Sequence, residues 1–177
     1  MAEAALSNKW LMRVVFAVLC LILIFSQLLP LETTPRRWAG PDFMVVLALA
    51  WAVRQPDYTP ALLVAAMFLL ADFLLQRPPG LGAAIMVAAC EAQHRRSYRL
   101  RDATFASEWF NATVVLVLIT LGYRLVAAIF LLPLPSLGLM LMQMMMNVAL
   151  YPAVVFLSHV LFGIRRATVH EATMGAN

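Results

Sequence analysis

Apolar segments of helical length fill most of this chain and constrain its fold more than any other feature. Apolar residues occupy 63% of the 177 positions and charged residues only 12%, whereas soluble domains are about half apolar and a quarter charged. A helix needs about 20 mostly apolar residues to cross roughly 30 Å of hydrocarbon. The runs are continuous and lack the alternation, over about 10 residues, of transmembrane β-strands. The pattern predicts an all-α integral membrane protein.

Prolines, glycines and charged residues divide the chain into six apolar segments. They predict one transmembrane domain over residues 1–177, with helices at about 10–29, 41–57, 60–75, 81–96, 105–132 and 137–164 and short tails at 1–9 and 165–177. The second, third and fourth segments are short, so local bilayer thinning or a partly re-entrant hairpin are alternatives to simple crossings. The first segment lacks a small-x-small cleavage motif, which favours an uncleaved helix over a signal peptide.

The distribution of basic residues predicts the orientation of these helices. With six crossings and a cytoplasmic N-terminus, the outer loops hold Arg36, Arg37 and Arg77. The inner side then holds nine basic residues: Lys9, Arg13, Arg54, Arg95, Arg96, Arg99, Arg101, Arg165 and Arg166. Because cytoplasmic loops carry the excess of basic residues, both termini are expected in the cytoplasm. The net charge of +4 is attributed to this topology, and no nucleic-acid partner is expected.

Residues 94–102 form the most basic segment and are predicted to be a cytoplasmic loop. Its arginines are Arg95, Arg96, Arg99 and Arg101. Anionic lipid headgroups attract such a segment by about 1 kcal/mol for each basic residue near the surface. Topology alone also explains the cluster, so lipid binding and orientation both stay open as interpretations.

Four polar residues are predicted inside the membrane, where an ionisable side chain costs about 2.5–3.5 kcal/mol to insert. Asp72 and Arg124 both fall in the outer half of their helices, close enough for an arginine side chain to bridge them. Gln143 and Asn147 are four residues apart and share one face of the sixth helix. We expect Asp72, Arg124, Gln143 and Asn147 to form one polar cluster. It would either lock helix packing or bind a ligand.

No catalytic, metal or cofactor site is predicted. Ser158 and His159 are adjacent, so they point about 100° apart on a helix, and no GxSxG motif accompanies them. The methionines between 140 and 146 lack a histidine or cysteine partner, which favours helix packing over copper binding. Cys20 and Cys90 lie inside apolar runs and are interpreted as packing residues.

Other polar or special residues receive structural interpretations. Pro152 lies within the sixth segment, where it removes a backbone hydrogen bond and is expected to kink the helix and shape a groove. Glu91 precedes Arg95 by four residues, which predicts a helical ion pair. Glu108 falls near the start of the fifth helix, where a negative charge is favourable, and is likewise expected in an ion pair at the membrane interface.

The order of features along the chain resembles the rod-shape-determining MreD family. The resemblance covers nearly the whole length. It depends on a proline-initiated second segment, an aspartate late in the third, Leu-Gly at the start of the fourth, a basic loop, and Asn-x-x-Leu-aromatic-Pro in the last segment: Gly40, Pro41, Asp42, Phe43, Asp72, Leu81, Gly82, Asn147, Leu150, Tyr151 and Pro152.

This resemblance implies a non-catalytic, multi-pass scaffold of the bacterial inner membrane that helps organise peptidoglycan synthesis and so maintains rod shape. The expected partners are MreC, with MreB, RodA and its partner transpeptidase contacted directly or through MreC. The implied fold is similar to the six-helix substrate-binding subunits of energy-coupling-factor transporters. Asp72, Asn147 and Pro152 are implied to shape the bundle or a partner groove.

A transporter subunit is the alternative function. In that case the polar cluster would bind a small, vitamin-type solute in the outer half of the bundle. Binding of such a solute separates this alternative from the scaffold.

Overall fold

The computed structural model describes residues 2–29, 39–100, 104–132 and 136–164, with side chains described from residue 7 and, in the second range, up to residue 97. These parts contain six α-helices, one 3-10 turn and no strand. In chain order they are α1 (Ala2–Leu28), α2 (Phe43–Arg54), the 3-10 turn (Pro56–Tyr58), α3 (Ala61–Leu74), α4 (Leu81–Leu100), α5 (Phe105–Ile129) and α6 (Leu137–Phe162). The predicted all-helical class is confirmed, and each predicted segment contains one helix.

Two predicted irregular segments are helical instead. Helix α1 begins at Ala2, so most of the expected tail at 1–9 belongs to it, because Ala, Glu and Leu are strong helix formers. Helix α4 continues to Leu100 through most of the predicted basic loop, since Arg, Gln and Leu also favour helix. The predicted tail at 165–177 lies outside the described residues.

Helix α2 is the centre of the bundle. Ten consecutive residues, from Met44 to Val53, are buried, so the helix is surrounded by protein on every side. Its 12 residues span about 18 Å at 1.5 Å per residue. Asp42 and Arg54 at its ends are largely enclosed, with side-chain exposures of 9% for Asp42 and 13% for Arg54.

Trp51, near the C-terminal end of α2, joins three other parts of the chain. Its fully buried ring lies 5.5 Å from the Phe16 ring, 5.7 Å from the Phe162 ring and 6.4 Å from the Tyr58 ring, measured between centroids. The indole Nε1 donates to the Ser158 hydroxyl at 3.1 Å. Tilted and edge-on aromatic pairs of this kind add to the packing energy, so Trp51 fixes α2 against α1 and α6.

The six helices alternate in direction, which gives the bundle two distinct ends. At one end, which we call the Asp42 end, Arg77 contacts both Gln27 and Asp42. At the other, the Arg54 end, Arg54 contacts Glu108 at the start of α5. Each of α1, α3 and α5 therefore runs toward the Asp42 end, while α2, α4 and α6 run toward the Arg54 end.

The outward surface of the bundle is apolar. Large side chains such as Phe25, Leu62, Phe110, Phe130 and Phe156 are each more than 60% exposed. A soluble protein rarely exposes such a continuous apolar surface. Three helical segments are long and apolar enough to cross a membrane, namely Ser7–Leu28, Phe105–Ile129 and Leu137–Phe162. Their exposed faces and their length make this a membrane protein.

Candidate functional site

A cavity of about 300 Å³ lies at the N-terminal end of α2. The short α2 begins at this depth of the bundle, whereas α5 and α6 extend further. This leaves space between the side chains of α5 and α6. The polar groups of the wall come from several helices and the turn that follows α3. They are Asp42, Asp72, Arg77, Thr120, Tyr123, Gln143 and Asn147. Met86, Met140 and Met144 are among the apolar wall residues, so the wall has both polar and apolar parts.

Asp72 binds the first turn of the next helix. Its Oδ2 accepts hydrogen bonds from the backbone N–H groups of Gly80 and Ala83, both at 3.1 Å. These donors have no partner within α4, because the first N–H groups of a helix are free, and the helix dipole also favours a carboxylate there. Asp72 is only 1% exposed. An aspartate on α3 therefore caps α4 and fixes the tight turn between the two helices.

Gly82 makes this cap possible. A Cβ atom at residue 82 would overlap Oδ1 of Asp72 and lie 3.2 Å from both Cγ and Oδ2. The carboxylate therefore lies directly on the glycine backbone, and Leu-Gly at the start of the fourth segment has a steric reason. The close approach of α3 and α4 depends on this pair.

Asp42 organises the N-terminus of α2 in a similar way. Its Oδ1 accepts from the Val45 N–H at 3.3 Å, which is the usual N-cap bond. Its own backbone N–H donates to Oδ1 of Asn147 on α6 at 2.7 Å. Arg77 adds a bond from Nη1 to Asp42 Oδ2 at 3.4 Å and one from Nη2 to Gln27 Oε1 at 3.3 Å. Four elements thus meet at the start of α2.

The expected polar cluster is therefore only partly assembled. Asp72, Gln143 and Asn147 line the same cavity, whereas Arg124 is not in its wall. The Arg124 guanidinium lies 3.4 Å from the Met140 sulfur, and among the described residues it forms no ion pair with Asp72. The Asp72 carboxylate instead accepts its hydrogen bonds from the backbone at the start of α4, through Oδ2.

A second polar site, at the Arg54 end, joins three helices. Arg54 on α2 donates from Nε and Nη2 to the two carboxylate oxygens of Glu108 on α5, at 3.0 and 3.1 Å. The Tyr151 hydroxyl on α6 donates to Glu108 Oε1 at 2.9 Å. Glu108 and Tyr151 are fully buried. The ion pair expected for Glu108 is therefore present, but it is buried in the bundle, because the C-terminal end of α2 meets the start of α5 there.

A network of side-chain hydrogen bonds links α4 to α5 and to the segment between the 3-10 turn and α3 near the same end. Asn111 donates to Gln93 Oε1 at 2.6 Å and accepts from Arg96 at 3.0 Å. His94 lies 3.2 Å from the Thr59 hydroxyl and 3.7 Å from Glu91. The predicted pairing of Glu91 with the arginine one turn later is not present, since the nearer His94 takes the contact.

The basic segment is placed on the last turns of α4. Arg95 and Arg96 are exposed there. The backbone of Arg99 is helical, but its side chain and all of Arg101 lie outside the described parts. Lipid binding by this segment stays a prediction. In the described parts, no three His, Cys, Asp or Glu residues are grouped so that they could hold a metal ion.

Pro152 lies inside α6, yet the helix continues from Leu137 to Phe162. Proline has no N–H, so the carbonyl of residue 148 loses its usual partner. The indole Nε1 of Trp109 on α5 donates to this Val148 carbonyl at 3.0 Å. The neighbouring helix therefore replaces the hydrogen bond that Pro152 removes, as transmembrane helices with proline require.

Replacing Trp109 with phenylalanine should lower the free energy of unfolding by about 1–3 kcal/mol, because the Val148 carbonyl then has no donor and the surrounding lipid cannot supply one. In a Pro152→Ala background the restored N–H satisfies that carbonyl, and the same Trp109→Phe change should cost less by at least about 1 kcal/mol. Reversible unfolding in mixed micelles measures all four variants. Equal costs in the two backgrounds would contradict this coupling.

Comparisons with models of known protein families, with curated proteins and with solved structures find no match to this chain.

Proposed function

We propose that this protein is a non-catalytic scaffold of the bacterial inner membrane, of the MreD type, which binds MreC and helps organise peptidoglycan synthesis during rod-shaped growth. In this proposal all six helices cross the bilayer, both termini are cytoplasmic, and the Arg54 end faces the cytosol. MreB, RodA and its partner transpeptidase are contacted directly or through MreC.

One observation carries the proposal: the residues on which the family resemblance depends are in contact with one another. Asp42 and Asn147, which are 105 positions apart, share a hydrogen bond, and Asp72 lies on Gly82. Chance similarity of composition among small apolar proteins gives no reason for such contacts. A scaffold needs helix ends held in fixed relation, and these pairs hold them.

The buried polar groups at the Arg54 end support the same function. Arg54, Glu108 and Tyr151 bind one another. In lipid, helix association depends on packing and on buried polar contacts. The outward faces of α1, α5 and α6 remain apolar and offer the surface that a partner helix would use.

Co-purification with MreC tests this function. The tagged protein is co-expressed with full-length MreC and solubilised in a mild detergent, and a second single-helix protein with a large periplasmic domain serves as the control partner. We expect MreC, and not the control, to be retained. Tryptophan substitutions at exposed positions, such as Leu118 on α5 and Phe156 on α6, should then weaken the retention of MreC when they fall on the helix face that binds it. A protein that elutes alone while other wall-elongation proteins stay together would contradict the proposal.

Solute binding is the second candidate, and the cavity at the Asp42 end favours it. Its volume of about 300 Å³ is at the lower end of the range of about 300–1,000 Å³ found for ligand pockets. A transport subunit would bind its solute there. Thermal unfolding against a vitamin panel tests this candidate, and a dissociation constant below about 1 µM (about −8 kcal/mol) would support it, whereas no stabilisation by any member would oppose it.

A further inference from the structure

The cavity at the Asp42 end carries an excess of negative charge. Its wall contains the carboxylates Asp42 and Asp72 and a single basic side chain, Arg77. Arg77 pairs with Asp42 at 3.4 Å, whereas no described basic side chain pairs with Asp72. Arg124 lies behind the wall, 3.4 Å from the Met140 sulfur, so the favourable position for a cation is beside the Asp72 carboxylate, where charges interact more strongly than in water.

Several polar atoms of the wall have no partner among the described residues. The Asp72 Oδ1 atom is one, because only Oδ2 receives hydrogen bonds. The amide nitrogen of Asn147 is another, although this side chain is more than nine-tenths buried. The Gln143 amide, one turn away on α6, also has none. Asp72 Oδ1 and the Gln143 carbonyl oxygen can therefore accept hydrogen bonds from a bound molecule, and the amide N–H groups of Asn147 and Gln143 can donate to one.

The remaining wall is suited to a hydrocarbon body. Phe68, Leu116 and Ile119 line the cavity together with Met86 and Met144. Methionine side chains are flexible and polarisable, so they adapt to the shape of an apolar ligand. The charged side chains come from the start of α2, the end of α3 and the turn after it, and the rest of the wall offers contacts to an apolar body.

We propose that this cavity binds a small amphipathic cation, with a protonated amine against the Asp72 carboxylate and a hydrocarbon body against the methionine-rich wall. The proposal rests on solute binding, the second function proposed above, and names its ligand class. The Gln143 side-chain carbonyl oxygen accepts a further hydrogen bond from the head group. Gly82 leaves Asp72 Oδ1 without a covering side chain.

Three probes that share one ring and differ in the head group test the ligand class. They are cyclohexylmethylamine, cyclohexylmethanol and cyclohexanecarboxylate, each titrated into the purified full-length protein at pH 7 with thermal unfolding as the measurement. We expect the amine to bind at least about tenfold more tightly than the alcohol, because a charge-assisted hydrogen bond replaces a neutral one. The carboxylate should produce no stabilisation. Equal or tighter binding of the alcohol or the carboxylate would overturn the proposal.

Two sets of variants locate the binding. Asp72→Asn keeps the size of the side chain and removes its charge, so the amine should bind no better than the alcohol. Met144→Trp fills the cavity and should abolish amine binding, whereas Met145→Trp, at a neighbouring residue that is 68% exposed, should leave it unchanged. If Asp72→Asn does not fold, the methionine pair alone decides. Loss of binding in both methionine variants, or in neither, would overturn the location.

The outcomes distinguish a wrong ligand class from a failure of solute binding, the function on which the ligand class rests. If a vitamin stabilises the protein, Met144→Trp abolishes that stabilisation and the amine gives none, the proposed ligand class is wrong and solute binding stands. If neither the amine nor any vitamin binds, both fall, and the scaffold proposal is unaffected.

Discussion

Glu108→Ala should lower the free energy of unfolding by about 3–5 kcal/mol, the largest effect that we expect from a single substitution. Removing this carboxylate leaves the Arg54 guanidinium, whose side chain is only 13% exposed, buried without its bidentate partner. Breaking a buried ion pair on one side costs this much because the remaining charge is uncompensated. The Tyr151 hydroxyl loses its acceptor at the same time. Reversible unfolding in mixed micelles gives the value.

Two controls accompany this prediction. Glu91→Ala removes a carboxylate whose side chain is 42% exposed and whose contact with His94 is 3.7 Å long, so we expect a change within about 0.5 kcal/mol. The double variant Arg54→Met with Glu108→Met should recover most of the loss, since a buried pair replaced by apolar residues of similar size is often neutral. A Glu108→Ala cost no larger than that of Glu91→Ala would contradict the account of this site.

Gly82→Ala should cost about 2–4 kcal/mol, which is the second large effect. The added methyl group would overlap Oδ1 of Asp72, and the carboxylate would have to move away from the Gly80 and Ala83 N–H groups. Overpacking costs about 1–3 kcal/mol, and losing the helix cap adds about 1 kcal/mol. The same unfolding measurement reports the loss.

Gly122→Ala is the matched control, because nothing lies within 4 Å of a Cβ atom at this helical position in α5. Alanine is the better helix former, so this variant should be stabilised by about 0.5–1 kcal/mol. In an Asp72→Ala background the overlap is gone, and Gly82→Ala should become nearly neutral. If Gly82→Ala lowers the free energy of unfolding by a similar amount with and without Asp72, the added methyl group does not clash with the carboxylate, and this account of the cap is contradicted.

The sequence predicted the helices and part of the site because both follow from local patterns. Continuous apolar runs and proline-glycine turns mark each helix, and helical periodicity places Gln143 and Asn147 on one face. Depth along the third helix then puts Asp72 near the same end. Three residues of the predicted cluster accordingly line one cavity.

The partners of the charged residues could not be predicted in the same way. Asp72 Oδ2 accepts hydrogen bonds from backbone groups whose position depends on the geometry of the turn before α4, which composition does not reveal. Arg124 was the expected partner because charge pairing is the simplest rule for buried carboxylates. The helix N-terminus, an equally good partner for an anion, was the competing rule that prevailed.

Glu108 was assigned to the membrane interface because it lies in the first turn of α5. The sequence did contain a signal, because Arg54 at the end of the second segment and Glu108 at the start of the fifth fall on the same side of the predicted bundle. Residues at the same depth pair only if helix packing brings them together, and here the central position of the short α2 brings Arg54 to Glu108.

Thiol labelling of variants that each carry one added cysteine tests the central claim, a bundle that crosses the membrane six times with the Arg54 end in the cytosol. Cys20 and Cys90 are both buried, so the background is low. New cysteines replace exposed residues in four connecting segments or helix ends: Asp57, Pro79, Arg95 and Leu131. A membrane-impermeant maleimide is added to intact spheroplasts and, separately, to permeabilised ones.

The cysteines at positions 79 and 131 should react in intact spheroplasts, and those at 57 and 95 only after permeabilisation. Labelling of positions 57 and 79 from the same side would show that α3 does not cross, and labelling of position 95 from outside would contradict the orientation and the scaffold that depends on it.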